Sequence, residues 1–127
     1  MELARTKHVP SKNYQDLLAW QLAMELAELV YKVSAVLPVE ERYGLVSQMR
    51  RAAISIPANI AEGQGRRTCG EFLNHLSMAH GSVRELGTHV IIARRLGLLP
   101  PVATEAVLTG ASIVGRLVTG LANSLKS

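Results

Sequence analysis

Two lines of polar side chains at helical spacing are the part of this sequence most able to do chemistry. One line is Gln48, Arg51, Ser55, Asn59 and Glu62, and the other is Glu71, His75, Ser82, Glu85 and His89. Steps of three, four and seven residues keep each line on one helix face. Two such lines could form a binding or catalytic groove, or a seam that fixes helix or subunit register. We interpret them as a seam, with Arg51 level with Ser82 and an Arg51–Glu85 ion pair within reach.

A metal site is the first chemical alternative for these lines. Glu71 and His75, like Glu85 and His89, are four residues apart, whereas di-metal bundles use a Glu-x-x-His spacing with further carboxylates from other helices. The two pairs are also separated by about 21 Å along a helix, so they cannot share one ion. The sequence therefore predicts no metal site.

The sequence also lacks the residues that nucleophilic catalysis and nucleotide binding would require. Cys69 is the single cysteine, and no base is identifiable beside it. The run Gly63-Gln64-Gly65 lacks the lysine of a phosphate-binding loop and reads as a helix ending. We expect no catalytic residue, no cofactor and no small-molecule substrate.

Basic residues are concentrated in one stretch of a chain whose net charge is +4. Between positions 42 and 67 there are five arginines and one acid, Glu62. The candidate nucleic-acid contacts are Arg42, Arg50, Arg66 and Arg67. Aromatic residues, which stack on bases, are only 4% of the chain. RNA binding would therefore depend mainly on contacts with the phosphate backbone of the RNA and would weaken as salt is added. The alternative is a solvated face on an adaptor that binds only protein.

The elements that must position these residues are four apolar stripes of helical period. Residues 1–13 read as a flexible arm, and residues 14–127 as one domain. The stripes are Leu22, Leu26, Leu29, Val33 and Val36; Leu45, Met49, Ala52, Ile56 and Ile60; Phe72 to Ala93; and Val107 to Leu125. Pro38 should end the first helix, the second should start near Glu40, Thr68 should cap the third, and Gly97 should end it. Short connections then predict an all-α, antiparallel up-and-down four-helix bundle.

The first and fourth helices carry more apolar residues than one core needs. Their second stripes give the candidate oligomer interface, which consists of Trp20, Ala23, Ala27, Val30, Ile113 and Leu117. An uncovered apolar stripe is typical of self-association. The alternative to self-association is that each of these two helices turns one wide apolar face toward the core.

Composition also bears on the number of domains, the cellular compartment and the presence of a membrane span. A chain of 127 residues with 48% hydrophobic residues fits one well-packed domain. One cysteine suits a reducing compartment, and the N-terminus lacks the apolar core of a signal peptide. Glu105 and Arg116 interrupt the most apolar region, so we expect no membrane span. We therefore expect a cytoplasmic protein.

Several runs closely resemble the bacterial four-helix bundle family, named for members encoded in intervening sequences of 23S rRNA genes and loosely called S23 ribosomal protein. The most specific are Asn59-Ile60-Ala61-Glu62-Gly63 and Gly81-Ser82-Val83-Arg84-Glu85-Leu86. The resemblance covers about residues 14–99, and it implies a homopentameric ring with no established activity. The accessory subunit of diversity-generating retroelements is similar in fold, which implies RNA or an RNA-bound protein as the partner.

Overall fold

The computed structural model describes residues 13–126, and within that range the chain forms four long helices and no β-strand. They are α1 (Leu18–Ser34), α2 (Ser47–Gln64), α3 (Cys69–Arg95) and α4 (Pro101–Lys126). Each of α1 and α3 packs against both α2 and α4. The predicted all-α, up-and-down four-helix bundle is confirmed. The predicted arm lies almost wholly outside the described residues.

The core is built from aliphatic side chains around a single phenylalanine. Phe72, Met49, Ile56, Ile60 and Leu76 are the largest fully buried side chains. The stripes predicted on α2 and α3 point inward as expected. Burial of such side chains contributes about 1.5–3 kcal/mol each, so these stripes contribute substantially to stability.

The buried face of α1 differs from the predicted stripe. Its buried residues are Ala19, Ala23, Leu26, Val30 and Ser34, so the helix is rotated by roughly one residue, about 100° of turn. Small residues on this face let α1 approach the core closely. The larger Leu22 and Leu29 are consequently left half-buried, beside α4.

The connection between α1 and α2 is more irregular than the sequence predicts. A 3₁₀ turn over Val39–Glu41 is followed by a π-helical turn over Arg42–Val46, where Gly44 leaves helical geometry with φ −109° and ψ −108°. The Glu41 carboxylate accepts a hydrogen bond from the Leu45 backbone N–H at 3.3 Å. The second helix therefore starts at Ser47, and its predicted start near Glu40 was wrong.

The ends of α3 follow the expected signals. The Thr68 hydroxyl accepts a hydrogen bond from the Glu71 backbone N–H at 3.1 Å and so caps the helix. At the other end Gly97 has a left-handed φ of 75°, and the Leu98 N–H bonds the Ala93 carbonyl at 2.9 Å. This Schellman ending needs a glycine because other residues are strained at that φ.

The two ends of the bundle differ in the number of connections they carry. The connection 65–68 lies at one end, called here the single-loop end, beside the start of α1 and the end of α4. Connections 35–46 and 96–100 both lie at the opposite, double-loop end. Charged residues at the same end of the bundle can contact one partner together, whereas residues at opposite ends are separated by the length of the helices.

By length and composition alone, α4 is the one described helix that could cross a membrane, with a mean hydropathy of 1.3 in its most apolar window. A core helix of a soluble protein passes the same test. Only 28% of that window is buried in the bundle, although α4 packs against both α1 and α3. Much of its apolar surface is thus uncovered in a single copy of the chain.

Candidate functional site

A chain of hydrogen bonds joins α2 to α3 through the two polar lines. His75 Nδ1 donates to Asn59 Oδ1 at 3.1 Å, and Asn59 Nδ2 donates to the Ser55 carbonyl at 2.9 Å and hydroxyl at 3.0 Å. Ser82 completes the chain by donating its hydroxyl proton to Ser55 Oγ at 2.8 Å. His75 and Ser82 are each only 9% exposed. We call these four residues the polar seam.

The seam is offset from the predicted register by one residue at the His75–Asn59 contact and by four residues at the Ser82–Ser55 contact. Ser82 meets Ser55 rather than Arg51, so the predicted pairing of Arg51 with Ser82 was wrong. Side chains in a helix lean toward its N-terminus, and in an antiparallel pair this lean shifts facing residues to higher numbers on both helices. A register predicted by counting residues outward from the connecting loop neglects that shift.

Gly63 sets how closely α2 and α3 approach at the end of the seam. An added Cβ would lie 2.6 Å from His75 Cβ and 2.9 Å from Phe72 Cδ1. Both neighbours are buried in the core, so neither can move aside easily. The glycine is therefore required by the close approach of α3.

The outer members of the two predicted lines do not form an interhelical seam. Arg51 and Glu85 make no ion pair in the described residues, and Glu85 instead lies 3.4 Å from His89 on the same helix. Glu62 pairs with Arg66 at 2.7 Å, also locally. Gln48 is exposed. Within the described residues, the polar contacts that these lines make between α2 and α3 come from Ser55 and Asn59 of the first line and from His75 and Ser82 of the second.

Arg50 serves the fold rather than an open basic surface. Its Nε donates to the Ser34 hydroxyl at 2.8 Å, and one Nη donates to the Tyr31 carbonyl at 3.1 Å. The guanidinium also lies over the Tyr31 ring, 4.4 Å from its centroid. A cation at the C-terminus of α1 satisfies a carbonyl there and complements the helix dipole.

The four arginines predicted to form one nucleic-acid surface lie at opposite ends of the bundle. Arg42 and Arg50 are at the double-loop end, whereas Arg66 and Arg67 follow α2 at the single-loop end. Arg50 lies in the first turn of α2, and the 16 residues from Arg50 to Arg66 span about 24 Å along the helix axis. Arg66 is partly neutralised by Glu62, and within residues 13–126 the Arg67 side chain has no hydrogen-bond or ion-pair partner. One copy of the chain therefore presents the four candidate contacts as two separate basic groups.

The predicted interface residues fall into three groups. Ala23 and Val30 are fully buried in the bundle core, so they cannot contact another subunit. Trp20 and Ala27 are half-buried on the flank of α1 that faces α2, and Ile113 and Leu117 lie on the α4 side. The candidate interface therefore reduces to two partly uncovered flanks of α1.

The flank shared with α4 is a hollow between the two helices. Its volume is about 250 Å³, and it is lined by Leu22, Leu26, Leu29, Gly110 and Ile113, with Glu25 at its edge. The flank shared with α2 carries the exposed side chains of Met24, Tyr31 and Ile54. Both flanks present aliphatic side chains to solvent.

The structure brings no catalytic constellation together in the part of the chain that it describes. No group of three or more His, Cys, Asp or Glu side chains within residues 13–126 is placed to hold a metal ion. His75 already uses Nδ1 in the seam, and Cys69 is half-buried at the first position of α3.

Sequence reasoning missed a set of exposed apolar residues at the double-loop end. Tyr43, Leu96 and Val102 are 62–86% exposed, more than Leu18 at 54% or any other large apolar side chain of α1, α2 and α3. They lie in or next to connections, where periodicity carries no signal. Arg94 and Arg95, the basic residues in the last turn of α3, lie at the same end. The sequence signal that could have indicated this exposed set was the presence of apolar residues in the connections between helices.

Asn59 is the residue on which the seam depends most, since it joins His75 to Ser55. Replacing it with alanine should lower the free energy of unfolding by about 1–3 kcal/mol, because buried polar groups lose their partners. Urea unfolding followed by circular dichroism measures the change. Asn74→Ala, at an exposed position of α3, is the matched control and should change stability by less than about 0.5 kcal/mol. Equal effects of the two substitutions would contradict the seam.

Fold and seam together define a small helical bundle protein whose α2 and α3 are locked by buried polar contacts. The chain belongs to the 23S rRNA-intervening sequence protein family, whose model matches residues 15–120. A solved structure from Bacteroides thetaiotaomicron VPI-5482, a protein of unknown function from the S23 ribosomal protein family, superposes with a TM-score of 0.76. It is 20% identical, and the match covers 83% of this chain and 98% of that one. No curated protein matches the sequence significantly.

Proposed function

We propose that this protein is a non-enzymatic cytoplasmic scaffold that assembles with copies of itself and contacts RNA through repeated basic loops. The observation that carries the proposal is the uncovered apolar surface on both flanks of α1 and on α4. Surfaces of this kind on a small protein usually mark an interface.

Self-association explains why there are two flanks rather than one. In a closed ring each contact joins two different patches, one from each neighbouring copy. The α4 flank, around Ile113, and the α2 flank, around Ile54, are such a pair on either side of one helix. Five copies, the number that the family resemblance implies, are the assembly we propose.

RNA contact is proposed at the single-loop end. Arg66 and Arg67 lie on the short connection before α3, and the segment carrying Arg5, Lys7 and Lys12 joins the described chain at the same end through Asn13. One copy offers few contacts, but a ring repeats them on one face. Repetition converts weak single contacts into strong overall binding.

The RNA proposal is tested with a labelled hairpin RNA that carries a single-stranded tail, using fluorescence anisotropy across a salt series. Arg66→Gln with Arg67→Gln should weaken binding at least about tenfold and reduce the salt slope by about 0.7 for each lost phosphate contact on a single strand. The charge-matched control is Arg84→Gln with Arg116→Gln, two exposed positions on the helix bodies.

The outcomes separate the two functions that the geometry supports. Binding lost only in the loop variant supports RNA contact at the single-loop end. Equal losses in both variants would show general attraction to positive charge, and no binding at about 50 mM salt would contradict an RNA role. In that last case an adaptor that binds only protein is favoured, in keeping with the contacts that Arg50 makes within the fold.

A further inference from the structure

The most exposed large apolar side chains of the described chain all lie at the double-loop end. Five are between 62% and 86% exposed, and the next in order, Leu18, is 54% exposed. The five, which we call the apolar cap, are Val36, Val39, Tyr43, Leu96 and Val102. They come from two separate connections and the first turn of α4, so the fold, not the local sequence, gathers them at this end.

We propose that the double-loop end binds an acidic, amphipathic segment of a partner protein. Exposed apolar clusters with polar rims are typical of protein interfaces, and a cluster at a bundle end cannot be covered by the core. This surface lies at the opposite end from Arg66 and Arg67, so the proposal is independent of RNA binding.

The charge at this end selects an acidic partner. The basic side chains are Lys32, Arg42, Arg50, Arg94 and Arg95, and the carboxylates are Glu40, Glu41 and Glu105. Glu41 is further engaged with the Leu45 backbone N–H, which reduces its influence on a partner. Arginine next to apolar anchors is the composition found in interface hot spots.

A hollow beside the cap gives this recognition a specific site. Its volume is about 340 Å³, and its lining combines the arginines Arg42 and Arg50 with apolar Leu37, Val39 and Val46. The contacts of Arg50 with Ser34 and Tyr31 hold its guanidinium in place. A carboxylate flanked by an aliphatic side chain matches this lining, since arginine forms charge-assisted hydrogen bonds with carboxylates.

Other occupants fit these residues less well. Four members of the cap are aliphatic and offer no stacking surface for bases, so RNA would leave them uncovered or poorly matched. An anionic membrane is a flat, extended surface and would not use a discrete hollow. A peptide segment can place an apolar anchor and an acid in alternate positions and satisfy both.

The test is selection from a displayed library of random peptides of about 15 residues, long enough for four helical turns. The purified protein is the target, and enriched peptides are then synthesised and measured by fluorescence anisotropy. The proposal predicts enriched sequences that combine apolar residues with Asp and Glu. It predicts that Tyr43→Ser with Val102→Ser, and separately Arg42→Glu, each weaken binding at least about tenfold.

The matched control is Leu18→Ser with Met78→Ser, which removes two exposed apolar side chains far from the double-loop end and should leave affinity within about twofold. Circular dichroism and mass check that every variant keeps its fold and assembly. The proposal is overturned if no peptide is enriched, if enriched peptides lack acids, or if they bind the cap variants equally well. End-to-end pairing of copies, or binding to phosphatidylserine vesicles that the cap variants abolish, would also overturn it.

Discussion

Replacing Gly63 with alanine is expected to lower the free energy of unfolding by about 1–3 kcal/mol, although alanine is the better helix former. The new Cβ would lie 2.6 Å from His75 Cβ, so α2 and α3 must separate where the seam holds them together. That separation lengthens the His75–Asn59 hydrogen bond and loosens the packing around Phe72. Urea unfolding at fixed protein concentration measures the loss.

Gly81→Ala is the matched control for this substitution, since Gly81 is an exposed glycine inside α3 with nothing within 4 Å of an added Cβ. There the same change should raise stability by about 0.5–1 kcal/mol through helix propensity alone. Opposite signs for the two substitutions are expected. A neutral or stabilising effect at Gly63 would show that α2 and α3 are less closely packed than described.

Ile113→Glu is expected to reduce the assembly to single chains of 13.8 kDa. Ile113 is 37% exposed in one copy, so the carboxylate can reach water there and the bundle should keep its helicity. In an assembly that covers the α4 flank, the same carboxylate would be buried without a partner, which costs several kcal/mol. Light scattering coupled to size-exclusion chromatography measures the mass.

The control for assembly is Ile92→Glu, at a residue of similar exposure, 41%, on the outer side of α3 and away from both flanks of α1. It should leave the mass unchanged. Ile54→Glu, on the α2 flank, should dissociate the ring as Ile113→Glu does, because a ring contact joins the two flanks. Dissociation by all three substitutions would contradict the assignment of the interface.

Local signals in the sequence were sufficient for the helices and most of their ends. The stripe from Phe72 to Ala93 predicted the buried face of α3, and Thr68 and Gly97 predicted its ends. These features depend on interactions within a few residues, which periodicity and capping rules describe well. The start of α2 was missed because Gly44 breaks a helix that the acidic residues before it appeared to begin.

Features that depend on how helices meet were less predictable. The seam is offset from the predicted register by one to four residues because side-chain lean, which spacing along the chain does not show, affects which residues face each other. The arginines are close in sequence, yet α2 carries them to opposite ends of the bundle. Arg50 was assigned to an open surface because nothing in its spacing reveals the hydroxyl of Ser34, 16 residues earlier.

The mass of the purified protein, measured by light scattering at low and high salt with absorbance at 260 and 280 nm on the same peak, tests the scaffold most directly. A ring of five copies predicts about 69 kDa, five times 13.8 kDa, at both salt concentrations. Nucleic acid carried by the peak should be removed at high salt while the mass of the protein ring remains. A single species of 13.8 kDa at both salt concentrations would contradict self-assembly, and with it the argument that repeated loops bind RNA.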